Sequence, residues 1–353
     1  MPASSDELYL AYALRLAASA GPEVSPNPAV GAVVVRDGRI IGEGVTSYDG
    51  GPHAEVEAMR SVAAPELLRG ATVYVSLEPC SIYGRTPPCC DALAAAAVGR
   101  VVVGCIDFTA GVCGRGLERL RLAGTDVRLG VCQAAAFEQA RARRVVVTRN
   151  RPYVILKQAV TDEGLVGVRG GRLTVTAPPA DVISHTWRAG VDAILVGATT
   201  VAADDPALTV RHAPARRPPL RVVLDPRGRT DPRARVFAGE APTAWAIDRG
   251  VATPSETVPG ATVLALDPAD RLGSLLRGLH ERRIGRLLVE GGPQTLRSFV
   301  AADSWDEYRE WRGAPAAIGA AHEPVYAAEV AGDVVATYRV GRDRLRVVRP
   351  HAR

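Results

Sequence analysis

Residues Ala71–Ile106 read ATVYVSLEPCSIYGRTPPCCDALAAAAVGRVVVGCI. Ala71–Glu78 and Arg100–Ile106 are β-rich runs of strand length, and Cys89–Val98 between them has helical composition. Working outward, Ala29–Val35 (AVGAVVV) is a further strand and Asp126–Val131 (DVRLGV) a weaker one, while His53–Ala63 and Leu117–Ala123 have helical composition. This alternation predicts an α/β sandwich around a buried central sheet. The opening MPASSDELYLAYALRLAASAG carries acids and no basic leader, and so predicts a helix rather than a signal peptide. Gln133–Arg144 predicts a helix that closes the unit. Asn150-Arg151-Pro152 then breaks the chain, because proline restricts the residue before it and has no N–H to donate.

The pattern restarts with Tyr153–Val160 (YVILKQAV), a glycine-rich loop, a helix near Ala180–Ala189 and a strand over Ala193–Val201 (AILVGATTV). Further strands are expected at Leu220–Asp225, Thr243–Ile247, Thr262–Leu266 and Arg286–Glu290, with an amphipathic helix over Asp270–His280. The proline- and glycine-rich stretches 213–219 and 226–241 read as connectors. A length of 353 residues suits two such domains, expected at 1–148 and 149–353.

Composition narrows the function. Hydrophobic residues at 47% and charged residues at 23% describe a globular chain, and no apolar run approaches the roughly 20 residues that span a bilayer. A cytoplasmic enzyme without membrane contact is the expectation. The net charge of +5 is carried by dispersed arginines, and aromatic residues are only 5%, so the composition argues against nucleic-acid binding by stacking along a basic stripe. The one lysine is Lys157. All six cysteines lie within the first 132 residues, which suits metal ligands and buried thiols better than a disulfide framework.

His53-Ala54-Glu55, Pro79-Cys80 and Cys89 are the chemistry-bearing set. A lone histidine would be better read as a helix cap, and lone cysteines as buried thiols. Together, one histidine and two thiolates make a three-ligand zinc site that leaves a fourth position for water, which zinc can activate at neutral pH. Glu55, two residues beyond the ligand histidine and not itself a ligand, is placed to take the water's proton and pass it to a leaving amine. The arrangement H-x-E…P-C is the signature of zinc nucleobase deaminases. Cys90 adjoins Cys89, and spacing favours Cys89 as the ligand.

Three segments carry a wider resemblance: Ser25-Pro26-Asn27-Pro28-Ala29-Val30-Gly31-Ala32, His53-Ala54-Glu55-Val56-Glu57-Ala58, and Leu77–Cys89 with its Gly84-Arg85-Thr86-Pro87-Pro88-Cys89 loop. They closely resemble the bifunctional riboflavin-biosynthesis deaminase–reductases. The resemblance implies a cytidine-deaminase-like α/β/α sandwich that removes the 2-amino group of a diaminopyrimidine ribosylamine phosphate, with Asn27 on the base and Arg85 near the substrate. The chain departs from the family at Ile82, usually histidine, and at Asp107-Phe108-Thr109-Ala110, where the family runs Asp-Pro-Asn-Pro.

In the second half, Glu290-Gly291-Gly292 after the Arg286–Val289 run suits either a phosphate at a helix start or a plain turn into a helix. Asp192–Val201, Ala203–Arg211, Leu220–Asp225 and Leu288–Gly292 resemble the family's reductase domain. That implies a dihydrofolate-reductase-like α/β domain using NADPH to convert the ribosyl group to ribityl. By matched position, Lys157 is the active-site lysine. Gln158, Thr174, Thr200, Asp204, Gly291 and Gly292 would face NADPH, and Arg188, Leu208, Arg211 and Glu290 the ribosyl phosphate. Arg172-Leu173-Thr174-Val175-Thr176 departs from the family's Ser-x-Trp-Ile-Thr, and Ser304–Trp311 from its following strand. The family also implies a dimer or tetramer. The alternative expectation is a paralogue acting on a related pyrimidine with an altered reductase.

Overall fold

The computed structural model describes residues 4–351 except 85–86, 171–172, 216, 240, 252–257, 259 and 314–322. Its first unit, Met1–Arg151, comprises α1 (Ser5–Ala18), β1 (Gly31–Arg36), β2 (Arg39–Val45), α2 (Ala54–Arg60), β3 (Thr72–Leu77), α3 (Cys89–Ala95), β4 (Arg100–Cys105), α4 (Arg115–Leu122), β5 (Asp126–Leu129), α5 (Gln133–Gln139) and α6 (Arg141–Arg149). The sheet runs β2-β1-β3-β4-β5, with β1 antiparallel to both its neighbours and β3, β4 and β5 parallel.

Strand periodicity divides the side chains between two layers. Val33, Val35, Tyr74 and Val102 join Leu10 and Ala13 of α1 on one face. Ala32, Val34, Val73, Val75, Leu77, Val101 and Val103 meet Ala54, Ala58, Leu93, Leu117 and Leu120 of the helices on the other. Each fully buried valine or leucine contributes roughly 1.5–3 kcal/mol, so β1, β3 and β4, buried on both faces, form the rigid centre. β2 was not foreseen. Its signal is Asp37-Gly38, both with positive φ (50° and 71°), which turn β1 into β2 as a tight hairpin. Gly42 and Gly44 of β2 lie against the backbone of Ala54 and Ala58, so α2 sits directly on this strand.

The second unit, Pro152–Arg353, contains β6 (Tyr153–Thr161), β7 (Leu165–Arg169), α7 (Pro178–Ala189), β8 (Ala193–Gly197), α8 (Ala198–Asp204), β9 (Leu220–Leu224), β10 (Thr243–Asp248), β11 (Ala261–Leu266), α9 (Arg271–Glu281), β12 (Arg286–Val289), α10 (Pro293–Ala301), β13 (Glu307–Gly313), β14 (Glu323–Tyr326), β15 (Asp333–Val340) and β16 (Asp343–Arg349). Its large sheet runs β11-β10-β9-β8-β12-β6-β13-β16-β15, and β7 pairs with β14 apart from it. From β11 to β13 all neighbours are parallel, and β16 and β15 are antiparallel additions. Because β12 returns between β8 and β6, its carboxyl end opens between these two strands, the kind of place where open α/β sheets hold ligands.

Several elements differ from expectation. The strand expected over Ala193–Val201 stops at Gly197, where a side chain would meet Thr295 of α10, and Ala198–Asp204 is helical. Tertiary packing there overrides the β-propensity of Thr199, Thr200 and Val201. The single helix expected over Gln133–Arg144 is two, α5 and α6, meeting at Ala140. The charged and aromatic stretch after Ser304 supplies β13, with Tyr308 and Trp311 buried on opposite faces of the sheet.

Candidate active sites

In the first unit two short helices aim their N-termini at one point. His53 is the N-cap of α2, and Cys89 opens α3. Cys80 ends the turn after β3 and is tied to α3 by the Cys90 amide, which donates to its carbonyl at 3.2 Å. The ligand atoms of His53, Cys80 and Cys89 all lie within 4.8 Å of one another. Nδ1 of His53 is 3.2 Å from Sγ of Cys89 and 3.5 Å from Sγ of Cys80, and the Cys89 amide donates to the Cys80 sulfur at 3.2 Å. One imidazole nitrogen and two sulfurs in such a group fit tetrahedral zinc with one position left over. Contact with Cys89, together with its amide and the imidazole, pulls the Cys80 thiol well below the ordinary thiol range against the cost of burial, which favours the thiolate.

Glu55, in the first turn of α2, is 3% exposed. Burial, and then the charge of Cys80, push its carboxyl up to about 7. A carboxyl poised there can both accept and return a proton near neutral pH. Cys90 is also buried, but its thiol turns to Asp91 at 3.6 Å, and burial holds it protonated up to about 11. Cys105 and Cys132 donate to the carbonyls of Ser76 and Glu7, and Cys113 is exposed. Asn27 is half-buried on the segment leading into β1, and Ile82 is exposed. Arg85 lies outside the described residues.

Glu78 was not singled out from the sequence for any role. Its buried carboxylate accepts the amides of Asp107 (3.2 Å), Gly114 (2.9 Å) and Gly116 (3.0 Å). It thereby fastens the 107–116 loop to the strand end that carries Cys80. An acid placed directly before Pro79-Cys80 was the available signal.

In the second unit Lys157, midway along β6, and Glu290, just past the carboxyl end of the adjacent parallel strand β12, meet with Nζ 3.9 Å from Oε2. Arg188 of α7 grips both oxygens of Glu290, through Nε at 2.7 Å and Nη2 at 2.8 Å, and donates from Nη1 to the Thr209 carbonyl at 3.2 Å. Burial alone would raise the Glu290 pKa. The paired bonds and charge of Arg188, followed by the charge of Lys157, outweigh it and pull the value to about 2, so this carboxylate is ionised at any working pH. Leu208 is buried at 3% exposure with φ of 51°, and Arg211 is exposed beside it, with its amide donating to Nδ1 of His185 at 3.0 Å. His185 escaped the sequence reading. Burial, and then the charges of Arg188 and Arg211, push it down to about 4, so it is neutral here.

The Gly292 amide donates to Thr200 Oγ1 at 2.9 Å, joining the start of α10 to α8. A side chain at Gly291 would stand 2.8 Å from Cβ of Thr295, so close packing against α10 requires that glycine. The start of α10 beside that of α8, with Lys157 and Glu290 adjoining, suits the phosphates of a dinucleotide. Asp204 ends α8 and Thr174 precedes α7, both exposed. The side chain of Gln158 needs correcting. It points to the sheet face opposite Lys157, where its amide binds Tyr308 Oη (3.2 Å), the Ala328 carbonyl (3.3 Å) and the Ala328 amide (3.0 Å). Neighbouring strand residues cannot share a face, so any part of Gln158 toward a cofactor falls to its main chain.

Comparison with known proteins gives matches over both units. Residues 3–105 match the family model of the cytidine and deoxycytidylate deaminase zinc-binding region, and residues 152–336 that of the RibD C-terminal domain. The chain is 40% identical over 304 residues to the riboflavin biosynthesis protein RibD of Aquifex aeolicus, covering 85% of each. It is 38% identical over 319 residues to that of Escherichia coli, covering 86% of each. Among solved structures it is similar to Acinetobacter baumannii RibD, with a TM-score of 0.87, 32% identity, and coverage of 98% of this chain and 99% of that one. It is also similar to the diaminohydroxyphosphoribosylaminopyrimidine deaminase/5-amino-6-(5-phosphoribosylamino)uracil reductase of Thermotoga maritima, with a TM-score of 0.86, 34% identity and the same coverage.

Proposed function

The chain belongs to the RibD family of riboflavin-biosynthesis proteins, and from that premise we propose a division of labour between its two units and a role for each site residue. The protein is a bifunctional deaminase and reductase that uses zinc and NADPH. Nothing in the comparisons favours a paralogue of different activity. Residues 1–148 carry the deaminase and 149–353 the reductase. The substrate is a 2,5-diamino-6-(ribosylamino)pyrimidinone 5′-phosphate. No helix among the described residues is long and apolar enough to cross a membrane, and our reading is a cytoplasmic homo-oligomer, a dimer or tetramer.

The convergence of His53, Cys80 and Cys89 carries the deaminase reading. These three residues hold zinc, which when bound supplies an activated water at neutral pH. Glu55 takes the proton of the attacking water and returns it to the departing 2-amino group, so ammonia leaves and the ring carbon keeps the oxygen. Asn27 and Arg85 bind the substrate.

In the reductase, NADPH supplies the hydride, and Thr200, Asp204, Thr174, Gly291, Gly292 and the Gln158 main chain form its cradle. Lys157 stabilises the reacting end of the sugar, and Glu290, kept ionised and fixed by Arg188, orients the hydroxyl groups. Leu208 packs against the sugar, and Arg211, the more exposed cation, holds the phosphate. Anchoring the phosphate positions C1′, so it acts on rate as well as affinity. Arg211→Ala is expected to lower kcat/KM for reduction by at least about tenfold, the scale of a charge-assisted hydrogen bond, with deamination at the wild-type rate. Steady-state assays of the two half-reactions check this. Unchanged reduction would remove Arg211 from the site, and equal loss of both reactions would mean a general structural effect.

A further inference from the structure

Arg143 of α6 reaches the two segments where the first unit's site loops meet. Its Nη1 donates to the carbonyl of Pro26, the neighbour of Asn27, at 3.4 Å. Its Nη2 donates to Thr109 Oγ1 at 2.9 Å. Thr109 in turn is bound through its amide and hydroxyl to Asp107 at 2.8 and 2.6 Å, in the loop that Glu78 fastens to the strand end carrying Cys80. The next residue, Arg144, lies over the ring of Phe108 at 5.8 Å, and Phe108 packs at 5.9 Å on Phe137 of α5. Thus α5 and α6 together hold Phe108-Thr109, part of the stretch where the chain departs from its family.

A guanidinium offers five N–H donors, and two bonds account for those Arg143 spends. Its Nε is buried with no partner, and among the described residues no carboxylate lies within ion-pair distance of it. Burial pulls its pKa below the ordinary value, with Asp107 offsetting only part of that cost. Other enclosed arginines are satisfied differently. Arg188 is neutralised by Glu290. Arg221 shares the unpaired Nε, but its two Nη groups are spent on the carbonyls of Ala207, Ala238 and Ala241 as a backbone staple. A cation left with unspent donors and only a partial counter-charge is costly unless a ligand brings more negative charge. The phosphate is the only anionic group on the substrate class proposed above, and the planar fork of arginine matches its oxygens.

We propose that Arg143 is a substrate-binding residue of the deaminase site that grips the 5′-phosphate of the pyrimidine ribosylamine phosphate. The proposal rests on the deaminase reading of the first unit. In it, Pro26 and Thr109 hold two corners of the guanidinium, and the N–H groups left over on Nη1 and Nη2 serve the ligand. Arg143 and the departed Phe108-Thr109 stretch then act together, the loop fixing the arginine and the arginine supplying the charge.

The test measures deamination of the ribosylamine pyrimidine with and without its 5′-phosphate, using full-length wild type, Arg143→Ala and Arg143→Lys. Zinc content and melting temperature are measured alongside. Arg143→Ala is expected to raise KM for the phosphorylated compound at least about tenfold more than for the dephosphorylated one. Arg143→Lys keeps the charge without the fork and is expected to fall between. Should the alanine variant lose its zinc or fold, the lysine variant decides on the same phosphate-specific KM. Equal losses on both compounds, or no loss on either, overturn the proposal. A wild type that deaminates neither compound overturns the deaminase reading itself, and the proposal with it.

Discussion

Glu55→Gln is expected to keep its zinc and lose deamination by at least about a hundredfold, the usual scale for removing a general acid–base group. The glutamine is nearly isosteric and sits in the same first turn of α2, so the helix and His53 should stay in place. What disappears is the carboxyl that accepts one proton and gives one back. The wild-type carboxyl is nearly fully buried and lifted to about 7, so it exchanges a proton near neutral pH at little cost. Metal analysis beside steady-state ammonia release checks both halves of this expectation. Wild-type turnover in Glu55→Gln would sink the proton-shuttle role. Loss of zinc in the same variant would instead make Glu55 part of the metal site.

Cys89→Ala is expected to take the chain from about one zinc to none, and Cys80→Ala to do the same, whereas Cys90→Ala retains the metal. The adjacent cysteines are chemically alike and both buried, but the helix turns them apart. Cys89 opens α3 with its sulfur 3.2 Å from His53 Nδ1, and Cys90 turns toward Asp91. With a single sulfur and one imidazole remaining, the site falls short of the three protein ligands that hold a catalytic zinc. Reduction of the matured intermediate by NADPH should persist in Cys89→Ala, since Lys157 and Glu290 belong to the other unit. Zinc retained in Cys89→Ala but lost in Cys90→Ala would exchange the two assignments.

The metal group was open to a sequence reading because its signal is local: His-x-Glu at a helix start and Pro-Cys at a strand end each encode their own geometry. The strands of the first sheet were legible for the same reason, as apolar runs between turns. β2 was missed although Asp37-Gly38 announces a hairpin, because Gly42 and Gly44 interrupt its apolar pattern. Those glycines are there for α2 to lie upon. In the second unit the strand periods were visible, but the order that brings β12 between β8 and β6 was not. The Arg188–Glu290 pair spans 102 residues and leaves no local trace. Gln158 shows the reverse: strand alternation alone sets its side chain opposite to Lys157, whatever a motif match implies. Arg143 carries no local motif, and only the fold places it against Pro26 and Thr109.

The central claim is that one chain deaminates the pyrimidine and then reduces its sugar at two separate sites. It is tested most directly by giving the purified protein the diaminopyrimidine ribosylamine phosphate with deuterium-labelled NADPH and locating the label in the product by mass spectrometry. The account predicts that the 2-amino group is replaced by oxygen with or without NADPH, and that one deuterium then appears on C1′ of a ribityl chain. Deuterium on the pyrimidine ring would contradict the reductase chemistry. Deamination that proceeds with no label anywhere in the product would contradict the bifunctional reading.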